Sequence, residues 1–227
     1  MNQKTFYTEI AYLLGLLILA LGTAFMERAD FGVSMVVAPA YLIHLKVSEV
    51  LPFFSFGMAE YTLQAVVILA MILILRRIKL SYFFSFVTAV LYGLTLDGAM
   101  ALIALLPEGS FGVKLGWFLI GMLLCSIGVS LLFHTYISPE AYELFVKEIS
   151  AKLQKDIHKC KTAYDCVSCL IAILLSFLFF GFGHFEGVKL GTIFCALVNG
   201  SLIGRCTAWF EKRWDFQDGL PFRKYFQ

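Results

Sequence analysis

The run LGWFLIGMLLCSIGVSLLFHTYI at 115–137 decides the fold of this chain, because it contains no Asp, Glu, Lys or Arg. A helix of about 20 apolar residues crosses the roughly 30 Å of hydrocarbon in a bilayer. The run is continuous and lacks the alternation of a barrel strand. It therefore predicts a membrane-spanning α-helix.

Five further segments of similar character accompany this run. The chain of 227 residues is 60% hydrophobic and 16% aromatic, with a mean hydropathy of +0.83, a balance that soluble domains do not show. The net charge of +2 gives no indication of nucleic-acid binding. The sequence predicts an all-α polytopic membrane protein surrounded by the lipid bilayer, with spans at 9–27, 54–75, 80–106, 112–136, 163–183 and 188–210.

The basic residues set the expected orientation. With the N-terminus in the cytoplasm, the inner loops hold 14 of the 18 Lys and Arg residues, as the positive-inside rule requires. We expect a multi-pass protein of a bacterial cytoplasmic membrane with both termini cytoplasmic. A signal peptide is the alternative for the first span, but Glu27 and Arg28 follow it without a small-residue cleavage site.

The second half of the sequence repeats the first. Gly128 follows Gly22 by 106 residues, and Asp165 follows Glu60 by 105. Each half has three spans, so the second copy crosses the bilayer in the opposite sense. We expect a three-helix repeat at 1–107 and another at 108–227, an arrangement typical of secondary transporters, whose sites lie between the repeats.

A long segment follows the first span of each repeat. Residues 31–53 are apolar and broken by Gly and Pro, which predicts a short interfacial or re-entrant helix. The matching segment contains an amphipathic helix at 138–155, begun by Ser138 and Pro139. We expect this helix to lie on the cytoplasmic membrane surface. Small residues in the third and sixth spans predict close packing there, including the two spans against each other.

Ionisable residues inside spans are the main candidates for a site, because a charge there costs a few kcal/mol. Glu60 and Asp97 are the leading candidates for binding substrate or protons. The alternative is that such acids are solvated at an interface or neutralised by a nearby Lys, and this interpretation is favoured for Asp165. Tyr61 and Tyr92 could add cation–π contacts to an organic cation. The remaining candidates are Gln64, Asp30, Arg28, Asp165 and Arg205.

Cysteine chemistry is a weaker possibility. Cys160, Cys166 and Cys169, with His158, bracket the start of the fifth span and could form a thiol or metal site. A second CxxC motif is absent. There is also no nucleotide-binding or hydrolase motif. We therefore expect neither a cofactor nor enzyme activity.

The stretch GTAFMERADFGVS at 22–34 resembles the end of the first helix in bacterial YczE/YitT-type integral membrane proteins. The matching positions are Gly22, Ala29, Asp30, Gly32 and Val33. Two further stretches, 93–97 and 191–200, resemble that family's third helix and its counterpart. Arg205 follows Gly204 where the pattern would have an acidic residue. The resemblance implies the same membrane architecture, and transport is the function usually supposed for that family.

The function that these patterns favour is secondary transport or facilitated passage of a small polar or cationic organic solute, coupled to protons or ions. One alternative is a scaffold, sensor or assembly protein that docks a partner on helix 138–155. The other is a thiol- or metal-dependent membrane enzyme. Homodimer formation stays open.

Overall fold

The computed structural model describes residues 4–107, 109–155, 157–181 and 187–225, apart from the side chains of His158 and Tyr225. Within these ranges the fold is helical, with one short pair of strands and a final 3₁₀ turn at Arg223–Tyr225. The elements are β1 (Lys4–Tyr7), α1 (Thr8–Ala29), α2 (Ala38–Ser48), α3 (Phe56–Leu75), α4 (Leu80–Ile103), α5 (Phe111–Phe133), α6 (Ala141–Leu153), α7 (Ile157–Phe180), α8 (Leu190–Arg213) and β2 (Trp214–Gln217).

Six of these helices, α1, α3, α4, α5, α7 and α8, are long and apolar enough to cross a membrane. They fall on the six predicted spans, so the all-α, multi-pass architecture is confirmed. Helix α7 begins six residues before the predicted span, and α8 ends three residues after it. The additional turns of α7 and α8 carry polar residues, so hydropathy alone does not assign these turns to a span. Part of the predicted end of the fifth span, 182–183, lies outside the described residues.

Helices α1 and α5 pack against each other at the centre of the bundle. Glycines permit the close approach: a Cβ on Gly22 would lie 2.7 Å from the Cys125 nitrogen, and one on Gly121 would lie 2.7 Å from the Gly22 oxygen. The expected packing of the third span on the sixth is not found among the main helix contacts, since α4 packs on α1 and α3, and α8 on α5 and α7.

The contacts between helices occur in matched pairs. Helix α1 contacts α4 as α5 contacts α8, and α2 contacts α3 as α6 contacts α7. The α2–α7 contact likewise matches the α6–α3 contact. We interpret this pattern as two copies of a helix–short helix–helix–helix unit, related by a pseudo-twofold axis that passes between α1 and α5.

Helix α6 starts inside the bundle. The backbone nitrogen of Ala141 donates to Gln64 Oε1 at 2.9 Å, 11 residues before the end of α3, or about 16 Å along that helix. The last turn of α6 lies at the end of α3, where Lys152 Nζ donates to the Ile74 oxygen at 3.0 Å. The helix predicted at 138–155 is therefore present, but it descends beside α3 instead of lying along the membrane surface.

Helix α2 holds the equivalent place in the other copy. Its first residues Ala38 and Ala40 are completely buried, and the preceding Gly32 has a φ of +100°, a conformation that favours glycine. The turn at Gly32 sends the chain back into the bundle after α1. Of the two placements predicted for 31–53, the re-entrant one fits these observations.

The two strands join the ends of the described chain. Strand β1 pairs in parallel with β2, with Lys4 opposite Trp214 and Tyr7 opposite Gln217. Thr8 Oγ1 donates to Asp218 Oδ1 at 3.1 Å beside this pair. Both ends therefore lie on one side of the bundle, which we call the terminal face. The strands are too short to have been predicted from periodicity.

Candidate functional site

A cavity of about 40 Å³ lies where the starts of α2 and α6 meet the α1–α5 pair. We call it the deep cavity. Apolar side chains form part of its wall, among them Leu19 and Val129. The polar and ionisable residues that line it come from both copies of the repeat; they are Thr23, Ser34, Tyr92, Glu140, Tyr142, Glu143, Lys161 and Asn199.

The wall of this cavity follows the repeat in position but not in chemistry. Ser34 before α2 corresponds to Glu140 before α6, and Val37 corresponds to Glu143, each 106 residues later. The first copy contributes small or apolar side chains where the second contributes acids. The cavity therefore lies across the pseudo-twofold axis, with its charge concentrated on one side.

Two carboxyl groups meet beside the deep cavity through an amide. Gln64 Nε2 donates to Glu140 Oε2 at 3.1 Å and, more weakly, to Glu60 Oε1 at 3.5 Å. The backbone nitrogen of Ala141, which can only donate, fixes Gln64 Oε1 as its acceptor. The amide of Gln64 must therefore present its NH₂ group to both acids.

Each of these acids keeps one free oxygen. Glu60 Oε2 and Glu140 Oε1 are buried without a hydrogen-bond partner among the described residues. Glu60 is fully buried and Glu140 is 5% exposed. The hydroxyl of Tyr142 lies close enough to interact with Glu60 but does not complete a hydrogen bond. Buried polar atoms of this kind are uncommon in proteins and usually indicate a functional demand.

A second group of charges adjoins the first. Lys161 Nζ lies 2.8 Å from Glu143 Oε1 and 3.0 Å from Asp165 Oδ1. All three side chains are largely buried. Asp165 is thus neutralised by a lysine, as the favoured interpretation expected, although it lies inside the bundle rather than at an interface. Because Lys161 is shared by two acids, it leaves Glu60 and Glu140 without a cation.

Burial raises the pKa of Glu140 to about 8. The nearby Glu143 carboxylate raises this pKa further, whereas the hydrogen bond from Gln64 and the charge of Lys161 lower it. Desolvation disfavours the charged form of a carboxyl group, and a neighbouring like charge acts in the same direction. Glu140 therefore gains or loses a proton near neutral pH.

A much larger cavity of about 830 Å³ connects this region to the terminal face. We call it the vestibule. Glu143 and Lys161 line both the vestibule and the deep cavity. Lys79 and Arg223, which are exposed, also line the vestibule. A solute from the terminal face can therefore approach the charged cluster.

Asp97 has a structural role in this arrangement. Its Oδ1 accepts from the Gly57 nitrogen at 2.8 Å, and its Oδ2 accepts from Ser55 Oγ at 2.6 Å. It thereby caps the start of α3, on the side away from the terminal face. Tyr61 packs at the same α3–α4 contact, next to Gly93. Neither residue lines the deep cavity or the vestibule.

Three other predicted residues also lie apart from the cluster. Asp30 is two-thirds exposed and pairs with Lys189 at 2.5 Å, and Arg28 Nη2 donates to the Leu106 oxygen at 2.6 Å. Arg205 is exposed on α8. Of the sequence candidates, the structure brings together Glu60, Gln64, Tyr92 and Asp165.

The cysteines do not assemble with other ligands. Cys166 is exposed, Cys160 is partly buried and Cys169 is buried. No group of three or more His, Cys, Asp and Glu side chains within the described residues could hold a metal ion. The side chain of His158, the fourth residue of that hypothesis, lies outside the described part of the chain.

Sequence reasoning missed Glu140, Tyr142 and Glu143, and it considered Lys161 only as a lysine that could neutralise Asp165. They were assigned to a surface helix and a loop because their segment is charged and amphipathic. The signal that could have found them is the repeat itself. Residues 31–53 were given a re-entrant alternative, and the same alternative applied 106 residues later would have placed Glu140 inside the bundle.

The fold and the cluster define a multi-pass α-helical membrane protein with ionisable side chains buried at its centre. The chain belongs to the family of unknown function DUF6198, whose family model matches residues 6–208. No curated protein and no solved structure matches the chain.

Proposed function

We propose that this protein is a secondary transporter or facilitator of a small polar or cationic organic solute in the bacterial cytoplasmic membrane. The terminal face would be cytoplasmic, as the distribution of Lys and Arg predicts. We also propose that the chain is related to the YczE/YitT-type proteins, which its motif at 22–34 resembles.

One observation carries the proposal: two buried carboxyl groups with free oxygens, Glu60 and Glu140, belong to a charged cluster that reaches the vestibule through Glu143 and Lys161. Ionisable side chains inside a bundle are costly and commonly belong to substrate or ion pathways. A site between two repeats of opposite orientation is the arrangement that alternating access requires.

The dimensions of the vestibule and the charge of the buried cluster beside it favour the solute class. Its volume of about 830 Å³ falls within the range of small-molecule sites. The buried cluster has four acids and one lysine, so its charge favours a solute with a positively charged group. Hydroxyl groups such as that of Thr207 on the vestibule wall suit the polar part of such a molecule.

The test combines a ligand screen with flux. Purified protein is screened for thermal stabilisation by small organic cations and polar metabolites, and uptake of the best compound is measured in proteoliposomes. Glu60→Gln and Glu140→Gln should each lower affinity by about tenfold or more, because a hydrogen bond to a charged group contributes roughly 1.5–3 kcal/mol.

Glu49→Gln is the matched control. Glu49 lies on the opposite side of the bundle in an exposed pair with Lys46, where a charge has little effect. Uptake unchanged in both buried variants would contradict the proposal.

The docking alternative loses its main support. It required a free apolar face on α6, but Leu144 of that helix is buried against Ile68 and Met71 of α3. The enzyme alternative gains no observation in its favour from the described residues.

A further inference from the structure

The deep cavity and the vestibule differ about twentyfold in volume. A cavity needs about 10–15 Å³ of such space to hold one water molecule, so the deep cavity of about 40 Å³ accommodates only a few species of that size. An organic solute does not fit there, whereas it fits the vestibule of about 830 Å³. The two cavities therefore suit different ligands.

The wall of the deep cavity is mainly apolar, but several of the residues that line it carry side-chain oxygen atoms. Ser34, Thr23 and Tyr92 bring hydroxyl groups, Asn199 brings an amide, and Glu140 brings a carboxyl group. Oxygen ligands of this kind suit hard cations. Glu140 is 5% exposed and its Oε1 has no partner in the described part of the chain, so it offers a free acidic ligand.

The negative charge around Glu140 is not fully compensated by the described lysine of the cluster. Lys161 is held by Glu143 and Asp165, and Glu60 and Glu140 share only the neutral amide of Gln64. An ionised carboxylate cannot stay uncompensated in a medium of low dielectric constant. Each of these two carboxyl groups must therefore hold a proton or lie beside a cation.

We propose that the deep cavity binds one small monovalent cation, a proton or Na⁺, through Glu140, and that this cation is the coupling ion for the solute in the vestibule. The coupling part rests on the proposed function; the binding part does not. Glu143 and Lys161 form a wall common to both cavities. A cation on one side of this wall changes the electrostatic potential that a charged solute meets on the other.

Groups from several helices face Glu140 and influence its charge. Helix α6 contributes two of these groups, and each of α1, α3, α4 and α5 contributes one. Helix α7 contributes the lysine of the cluster. These groups are Tyr142, Glu143, Tyr12, Glu60, Tyr92, Cys125 and Lys161.

The experiment uses the purified full-length protein in detergent at constant ionic strength, with N-methyl-D-glucamine chloride as the bulky reference salt. Two quantities are measured: the melting temperature as NaCl replaces the reference salt, and the proton uptake between pH 9 and pH 6 from a pH-indicator dye. The variants are Glu140→Gln, Ser34→Ala and the exposed control Asp30→Asn.

A Na⁺ site gives a saturable rise in melting temperature with NaCl, which Glu140→Gln abolishes and Ser34→Ala weakens severalfold. A proton site gives no NaCl effect, but the wild type takes up about one proton more than Glu140→Gln over this pH range, and Ser34→Ala takes up as much as the wild type. Either result supports the proposal, provided that Asp30→Asn behaves as the wild type. The proposal is overturned if neither response occurs, or if the response persists in Glu140→Gln.

Ser34→Ala and a third variant, Glu140→Asp, keep the test decisive if Glu140→Gln does not fold. Aspartate retains the charge on a shorter side chain, so the cation affinity should change while binding persists; an unchanged affinity in both variants contradicts a site at Glu140. Cation binding without solute flux would refute the transport function alone. Solute flux that is insensitive to both Na⁺ and pH would refute only the coupling.

Discussion

Glu140 shows how a single side chain links the site to the stability of the protein. Its pKa is about 8 in the folded protein, against an ordinary value of 4.5. Between these pH values the folded protein holds a proton that the unfolded chain releases. The free energy of unfolding must therefore fall as pH rises through this window.

The first prediction is that the melting temperature of the wild type falls between pH 5 and pH 8, and that Glu140→Gln removes much of this fall. Glutamine does not titrate, so it binds no proton in either state. The measurement is a thermal melt in detergent at both pH values, with Glu49→Gln as control. An equal pH dependence in Glu140→Gln and the wild type would count against the assignment.

Asp97 and Glu60 were ranked together from the sequence, but their environments differ. Hydropathy identifies a charge in a span and does not distinguish an acid that keeps a free oxygen inside the bundle from one that caps a neighbouring helix. Asp97 accepts two hydrogen bonds at the start of α3. Glu60 retains a free oxygen.

The second prediction follows from that difference. Asp97→Asn should destabilise the protein by about 1 kcal/mol, as loss of a capping group does, and leave solute uptake per folded molecule unchanged. Uptake normalised to the amount of monodisperse protein measures this. The idea fails if uptake is lost while the melting temperature stays the same.

At the scale of the helix, the α1–α5 contact depends on glycines at defined positions. A Cβ on Gly121 would meet the backbone of α1, whereas one on Gly116, also in α5, would meet nothing within 4 Å. Close backbone approach is a general means of helix association in lipid. The third prediction is that Gly121→Ala costs about 1–3 kcal/mol through overpacking, while Gly116→Ala is neutral. Thermal melts of the two variants provide the comparison, and equal effects would show that the contact is not limiting.

The six long helices could be predicted from sequence, because a span of hydrocarbon demands about 20 apolar residues wherever it occurs. The position of α6 could not be predicted in this way. Its charged face is compatible with water at the membrane surface and equally with a charged cavity, as the burial of Glu143 and Lys161 shows. The sequence therefore identified the cluster residues on the long helices and missed those at the start of α6.

At the scale of the whole molecule, the repeat sets the positions and the differences between its copies set the chemistry. The glycines of α1 and α5 correspond at 106 residues, whereas Val37 corresponds to the acid Glu143. Symmetric packing around an asymmetric charge distribution is consistent with one site that two similar halves enclose.

The fourth prediction concerns access to this site. In a variant with the exposed Cys166 replaced by serine, Lys147→Cys on the vestibule wall should react with a membrane-impermeant maleimide from the cytoplasmic side. Val50→Cys, which is 79% exposed at the other end of the bundle, should react from outside the cell. Right-side-out and inverted vesicles provide the two conditions. Labelling of both positions from the same side would contradict the topology.

The pairing of β1 with β2 has a consequence for biosynthesis. Glu9, at the start of α1, accepts from the backbone nitrogens of Gly219 and Leu220 at 3.0 and 2.9 Å, and these donors are synthesised about 210 residues later. At roughly 5–20 residues per second, the first helix waits about 10–40 s in the membrane before these two backbone donors reach its carboxylate. Strand β2 therefore docks on β1 only after α8 has been synthesised, and a ribosome that stalls before residue 214 leaves the helices without this strand pair.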